Sequence, residues 1–312
     1  MDDDERGVRA AIAKHAVAAV RSRAPAGVEV VALADGVDLT TIDFLVPASG
    51  DKEVLDALPG LDRLAVVQVL SAGTDWIETL VPPQATLCSA RGARDAPVAE
   101  WVLGALLGAS SGLLECARDR TWRPRHLTDL GGWTVLVLGM GSIGRLLESR
   151  LRPLGTEVIG VASHARDDLH GVDELLGILP DADAVVVLTP LNDSTRGLIG
   201  AEELAAMRDG TLLVNAARGP VLDTDALLQE VSRGRLRAVL DVTDPEPLPE
   251  HHPLWDAPGV LSITPHLAGD SPLGNARAAA LAGEQLARWY AGDELHNIVP
   301  HGGAIRRATP RA

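Results

Sequence analysis

Residues 133–144 read Trp-Thr-Val-Leu-Val-Leu-Gly-Met-Gly-Ser-Ile-Gly and run straight into the amphipathic stretch 145–154. A short apolar, β-branched run that ends in three closely spaced glycines and opens a helix admits few folds. Gly139 suits a tight turn off a strand. Gly141 has no Cβ, so a pyrophosphate can approach the backbone. Gly144 lets the new helix pack against the strand, and the helix N-terminus offers unpaired N–H groups and a partial positive charge. The pattern is short, and its flanks give it weight.

Those flanks alternate. Apolar, β-rich runs recur at 157–161, 184–189, 211–215, 237–242 and 260–264, with helix-like stretches at 173–179, 201–207 and 225–233. With 135–138 they make six strands in a β-α-β series, which predicts an α/β fold with a Rossmann-type doubly wound parallel sheet covered on both faces. The first ninety or so residues alternate separately. There 7–20 reads as helix, 28–33, 43–46, 64–70 and 85–88 as strands, and together they predict a smaller, flavodoxin-like α/β domain. The Ala/Leu-rich stretch 96–116 reads as one long helix suited to crossing between domains, and 272–291 as a second that returns to the first domain. The expected division is a substrate domain from 1–95 and 290–312, and a dinucleotide-binding domain over 96–289 that includes both crossover helices. The Gly- and Arg-containing tail 302–312 reads as loose.

Composition narrows the partners. The formal net charge of −15 lacks the basic footprint that nucleic acid requires. No apolar run is long enough to span a membrane. Cys88 and Cys116 are the only cysteines, too few for a disulfide framework, and the acidic N-terminus lacks the features of a signal peptide. The expectation is a cytoplasmic protein. The adjacent His251 and His252 precede a proline and read as a turn, so no metal site is expected. His15 reads as a surface or packing residue of the N-terminal helix.

Three segments come after the glycine loop at strand C-termini, where an open parallel sheet faces its ligand. They are Asn215-Ala216-Ala217-Arg218-Gly219, Asp241-Val242-Thr243-Asp244-Pro245-Glu246-Pro247-Leu248 and Thr264-Pro265-His266-Leu267-Ala268-Gly269. They deliver a guanidinium, carboxylates and an imidazole to one edge. Reducing a ketone with a hydride places negative charge on oxygen, which then needs a proton. An imidazole titrates near neutrality and can supply it, and a neighbouring carboxylate favours the charged ring. A guanidinium can clamp a carboxylate with paired hydrogen bonds and stabilise the developing alkoxide.

With these motifs in this order, the chain resembles the D-isomer-specific 2-hydroxyacid dehydrogenases from about residue 70 to 297. The resemblance implies an NAD(P)-dependent enzyme that interconverts a small 2-ketoacid and its D-2-hydroxyacid. It implies that Arg218 binds the substrate carboxylate and keto oxygen, and that His266 is the general acid/base. Glu246 would orient His266, and Asp241 would contact the nicotinamide side of the cofactor. Substrate contacts are implied at Ala72 and Gly73, within the small-residue turn 71–74. Gly139, Gly141, Ser142, Ile143, Gly144, Ser163, Arg166, Thr189, Pro190, Ala216 and Asp241 make up the expected cofactor contacts. A homodimer is also implied, with the helix 98–114 as its candidate surface.

Two other readings stay open: a redox-sensing, corepressor-like protein without significant turnover, and a phosphite dehydrogenase. A formate dehydrogenase is disfavoured, because those relatives pair the catalytic His with Gln where this chain has Glu246. The second strand of the nucleotide fold ends in Ala162 where an NAD-preferring fold carries an acid for the ribose 2′-OH. Ser163, His164 and Arg166 come next. A 2′-phosphate would meet a hydroxyl and a guanidinium there, which favours NADP(H) over NAD(H), although Asp167 and Asp168 lie close in sequence.

Overall fold

The computed structural model describes residues 7–34, 36–119, 121–122 and 127–301. The tail expected to be loose, 302–312, lies outside them. The chain divides into two compact units. The described residues up to Arg94 and from Ser271 onward form one, and Asp95–Asp270 form the other.

In the first unit the strands are β1 (Val8–Ile12), β2 (Val28–Ala32), β3 (Phe44–Val46), β4 (Val66–Gln68) and β5 (Thr86–Cys88). They are parallel, in the order 2-1-3-4-5 of a flavodoxin-like sheet. Helices α1 (Val17–Arg21) and α2 (Lys52–Ala57) belong to the same stretch of chain. The helix expected over 7–20 is instead strand β1, a turn and the start of α1. β1 pairs with β2 on one side and β3 on the other. Ala10 and Ile12 enter one core and Ala11 the opposite one, so the side-chain period is two. The Ala-rich composition favours helix, but pairing on both sides and the complete burial of Ala10, Ala11 and Ile12 override that preference. His15 accordingly sits exposed in the turn after β1.

In the second unit α3 (Asp95–Ser110) and α4 (Leu113–Asp119) lead into β6 (Thr134–Leu138), α5 (Ser142–Leu151), β7 (Glu157–Ala162) and β8 (His170–Gly171). Then come α6 (Leu175–Ile178), β9 (Ala184–Val187), α7 (Ala201–Ala206), β10 (Leu212–Asn215), α8 (Thr224–Ser232), β11 (Arg237–Leu240) and β12 (Val260–Ile263). The order β12-β11-β10-β9-β6-β7-β8 is the doubly wound 3-2-1-4-5-6 arrangement with one further strand. The sheet has seven strands where six were expected, because β8 is two residues long and leaves no apolar run to read. Leu136 and Leu138 face one core, Val135 and Val137 the other.

The single helix expected over 96–116 is broken. Gly112 adopts φ +68°, a left-handed conformation that glycine accepts without strain, and the two helices are bent by 72°. α3 packs against α5 and β10. Among the described residues no single helix is long and apolar enough to cross a membrane.

The last helix, α9 (Pro272–Ala291), belongs to the first unit and not, as expected, to the dinucleotide-binding one. Ala278, Ala279, Ala282 and Leu286 share a core with Val17 and Val20 of α1. A Cβ on Gly283 would stand 3.3 Å from the Val20 Cα, so the small-residue face of α9 is matched to α1, more than 250 positions earlier. The chain ends its described course with β13 (Ile298–Val299), antiparallel to β5.

Candidate active site

The glycine turn is built as its sequence requires. Gly139 has φ +110°, and a Cβ there would stand 2.7 Å from the Leu188 carbonyl carbon and 2.9 Å from the Thr189 nitrogen. A Cβ on Gly144 would collide with the Gly139 carbonyl oxygen. The third glycine differs: nothing lies within 4 Å of a Cβ on Gly141, which is the N-cap of α5 and brings no capping side chain. Two glycines thus lock the turn, while the third leaves open space before an uncapped helix N-terminus carrying Ser142 and Ile143. Thr189, just past β9, holds a buried hydroxyl without a hydrogen-bond partner. Pro190 is exposed and Ala216 half-buried, after β9 and β10 respectively. The turn, the open helix end and the unpartnered hydroxyl fit a dinucleotide pyrophosphate and its ribose.

Ala162 ends β7 and is buried, with Ser163, His164 and Arg166 exposed beyond it. Arg166 and Leu169 close a tight turn through mutual backbone bonds of 3.1 and 2.8 Å, with Asp167 at φ +49°. Asp168 is already engaged. Both its oxygens accept from Arg145, at 3.3 and 3.4 Å. That guanidinium holds the Asp168 carboxyl below the usual carboxylate range.

Three neighbouring strands carry the polar residues. After β10, Arg218 is half-buried in extended backbone, and its guanidinium donates to the Ala217 carbonyl at 2.8 Å. After β11, the loop carrying Glu246 is pinned twice. The Thr243 hydroxyl donates to the Pro245 carbonyl and the Thr224 hydroxyl to the Asp244 carbonyl, both at 2.9 Å. After β12 comes His266, whose Nδ1 lies 2.7 Å from Glu246 Oε1. Each of these two side chains keeps 43% of its surface. A carboxylate can only accept, so Nδ1 carries the proton of this bond and Nε2 is left for a reacting group.

His266 is held in an uncommon conformation, φ +53°. Its N–H donates to the Asp241 carbonyl at 2.8 Å. The buried Asp241 carboxylate accepts from the Thr264 hydroxyl at 2.6 Å and from the Leu267 and Ala268 N–H groups at 2.9 Å. Resemblance assigns Asp241 to the cofactor. In the structure its carboxylate holds the loop that presents His266, and any cofactor contact would be made by an oxygen already doing so.

Ala72 and Gly73 belong to the first unit, just after β4. There the Ser71 hydroxyl donates to the Gly73 carbonyl at 2.7 Å and accepts from Trp76 Nε1 at 3.2 Å. His252 accepts from the Leu254 N–H at 3.3 Å and caps a 3-10 turn. No cluster of His, Cys, Asp and Glu suited to a metal occurs among the described residues.

The family model for the NAD binding domain of D-isomer specific 2-hydroxyacid dehydrogenases matches residues 105–268. The chain belongs to this family. It is 32% identical to the glyoxylate reductase of Thermofilum pendens over 257 residues, 76% of this chain and 74% of that protein. Among solved structures it is similar to the NADPH-dependent glyoxylate/hydroxypyruvate reductase of Sinorhizobium meliloti in complex with NADP and sulfate. That match has TM-score 0.81 and 27% identity, and covers 94% of this chain and 98% of that one. A D-isomer specific 2-hydroxyacid dehydrogenase of Xanthobacter autotrophicus in complex with NADPH matches with the same score, identity and coverage.

Within this dehydrogenase fold, sequence reading finds the Glu246–His266 pair and the glycine turn, and misses three supporting residues. Arg145 reads as an ordinary helix residue, yet it occupies Asp168. Thr264 reads as a strand end, yet its hydroxyl braces Asp241. Asn215 stands at the start of a recognisable motif, but its side-chain bonds become visible only once the turn after β10 is built. A buried amide closing an apolar strand was the available signal.

Proposed function

We propose that this protein reduces a small 2-ketoacid to its D-2-hydroxyacid and catalyses the reverse reaction, with NADP(H) preferred over NAD(H). The hydrogen bond between His266 Nδ1 and Glu246 carries this reading. The nicotinamide, when bound, supplies or accepts the hydride. Arg218 binds the substrate carboxylate and stabilises the oxygen that gains negative charge. His266 gives that oxygen a proton from Nε2, and in the reverse direction removes it. Glu246 orients the ring and fixes the proton on Nδ1, which leaves Nε2 facing the reacting oxygen. Glycine turn, uncapped α5 and Thr189 would hold the dinucleotide.

The cofactor preference rests on the residues at and just past the end of β7. No acid stands at Ala162, Ser163 and Arg166 are exposed, and Asp168 is taken by Arg145. The Sinorhizobium and Xanthobacter relatives were solved with NADP and NADPH. A homodimer is part of the same reading. Leu107, Leu113 and Leu127 are exposed and Trp122 fully so, all from one stretch of chain and all apolar. We also place the protein in the cytoplasm, where Cys88 and Cys116 would stay as the free thiols they are.

Steady-state kinetics with NADPH and NADH against a panel of small 2-ketoacids tests the proposal. Turnover with a higher kcat/KM for NADPH is expected. Cofactor binding without turnover would point instead to a redox-sensing protein. Phosphite oxidation by the same preparation would move the substrate class.

A further inference from the structure

We propose that Asn215 is a positioning residue for Arg218, an inference that rests on the ketoacid reading above. Asn215 is the last residue of β10 and is fully buried. Its strand neighbours Leu212, Leu213 and Val214 are apolar and equally buried, so packing alone would be served by another aliphatic residue. Its backbone carbonyl already accepts from the Asp241 N–H at 2.9 Å. The side chain therefore has a task of its own.

That task is the turn carrying Arg218. Asn215 Oδ1 accepts from the Ala217 N–H at 3.0 Å, and Nδ2 donates to the Arg218 carbonyl at 3.2 Å. The two partners have opposite polarity, which fixes the orientation of the amide. One rigid group thus grips the chain two and three residues ahead and sets the backbone through Arg218. The next residue is gripped from the other side. A Cβ on Gly219 would collide with the Thr243 carbonyl oxygen, so the turn seats against the loop that leads to Glu246. Arg218 is thereby placed by a buried amide behind it and by the Glu246 loop beside it. A guanidinium that must meet a planar carboxylate in two hydrogen bonds tolerates little displacement of its backbone.

A double-mutant cycle tests this. Asn215→Ala should lower kcat/KM for the ketoacid about 10- to 100-fold, the cost of a misplaced binding group, and leave the NADPH Kd within about 3-fold. Asn215→Ser, whose hydroxyl can still accept from the Ala217 N–H, should recover part of the loss. Asn215→Ala added to Arg218→Ala should cost little more than Arg218→Ala alone, because the amide acts through that arginine. Binding of oxamate to the NADPH-loaded protein, read by calorimetry, should show the same pattern without requiring turnover. Additive losses would overturn the proposal. So would unchanged kinetics, an equal loss of NADPH binding, or failure of both Asn215 variants to fold. A wild type that turns over no ketoacid would overturn the parent reading instead, and the oxamate arm would still judge Asn215.

Discussion

Arg218, Asp241 and His266 do different work, and single substitutions separate them. Arg218→Lys keeps the charge and loses the planar fork, so kcat/KM for the ketoacid should fall by about 100-fold or more while NADPH binding holds. Kinetics within a few-fold of wild type would place Arg218 outside the site. Asp241→Asn replaces one acceptor of the loop's three hydrogen bonds with a donor that faces an N–H. It should cost about 1–3 kcal/mol of stability, seen as a lower Tm, and should lower kcat because His266 depends on that loop for its left-handed backbone. A Tm equal to wild type would show that the bonds to Leu267 and Ala268 do not matter. The two cysteines give a chemical check on the fold. Burial pushes the Cys88 thiol up to about 12, partly offset by a hydrogen bond with Gln285, whereas Cys116 is exposed. At pH 8 the raised value leaves Cys88 almost wholly protonated, and only above about pH 12 would its thiolate prevail. One thiol should therefore react with a disulfide reagent in the native protein and two in denaturant. Two fast-reacting native thiols would contradict the buried placement of Cys88.

At the scale of elements, the second unit was largely legible and the first less so. β6, β7, β9, β10, β11 and β12 are predominantly apolar runs separated by turns, so composition and punctuation identify them. β8 is too short to leave a pattern. β1 was hidden by its alanines, which satisfy helix propensity alone and strand packing only when β2 and β3 lie on either side. Gly112 interrupts a run whose composition is helical on both sides. α9 is legible as a helix but not in its unit, because its partner α1 lies at the opposite end of the sequence. The end of β7 is read from one residue type, and its consequence is measurable. Ala162→Asp would place a carboxylate where the ribose 2′ substituent is expected. It should shift the NADPH-to-NADH ratio of kcat/KM toward NADH by about 10- to 100-fold, the worth of one charged hydrogen bond. An unchanged ratio would mean that the adenosine lies elsewhere.

For the whole molecule, the local patterns were enough for the nucleotide-binding sheet and the order of its motifs, because a strand, a glycine turn and a helix are each specified within about twenty residues. The long-range choices were not: which unit takes α9, what Arg145 pairs with, and which bonds hold the His266 loop. Those depend on groups that meet only after folding. Association belongs at this scale too. The exposed Leu107, Leu113, Trp122 and Leu127 predict a dimer mass by light scattering at micromolar concentration, and a monomer mass would rule the dimer out. The central claim is that His266, held by Glu246, moves the proton that completes ketoacid reduction. The most direct test compares His266→Ala with wild type in kcat and in NADPH Kd. A fall in kcat of about 10²- to 10⁴-fold with Kd nearly unchanged is predicted; a kcat within a few-fold of wild type would contradict it.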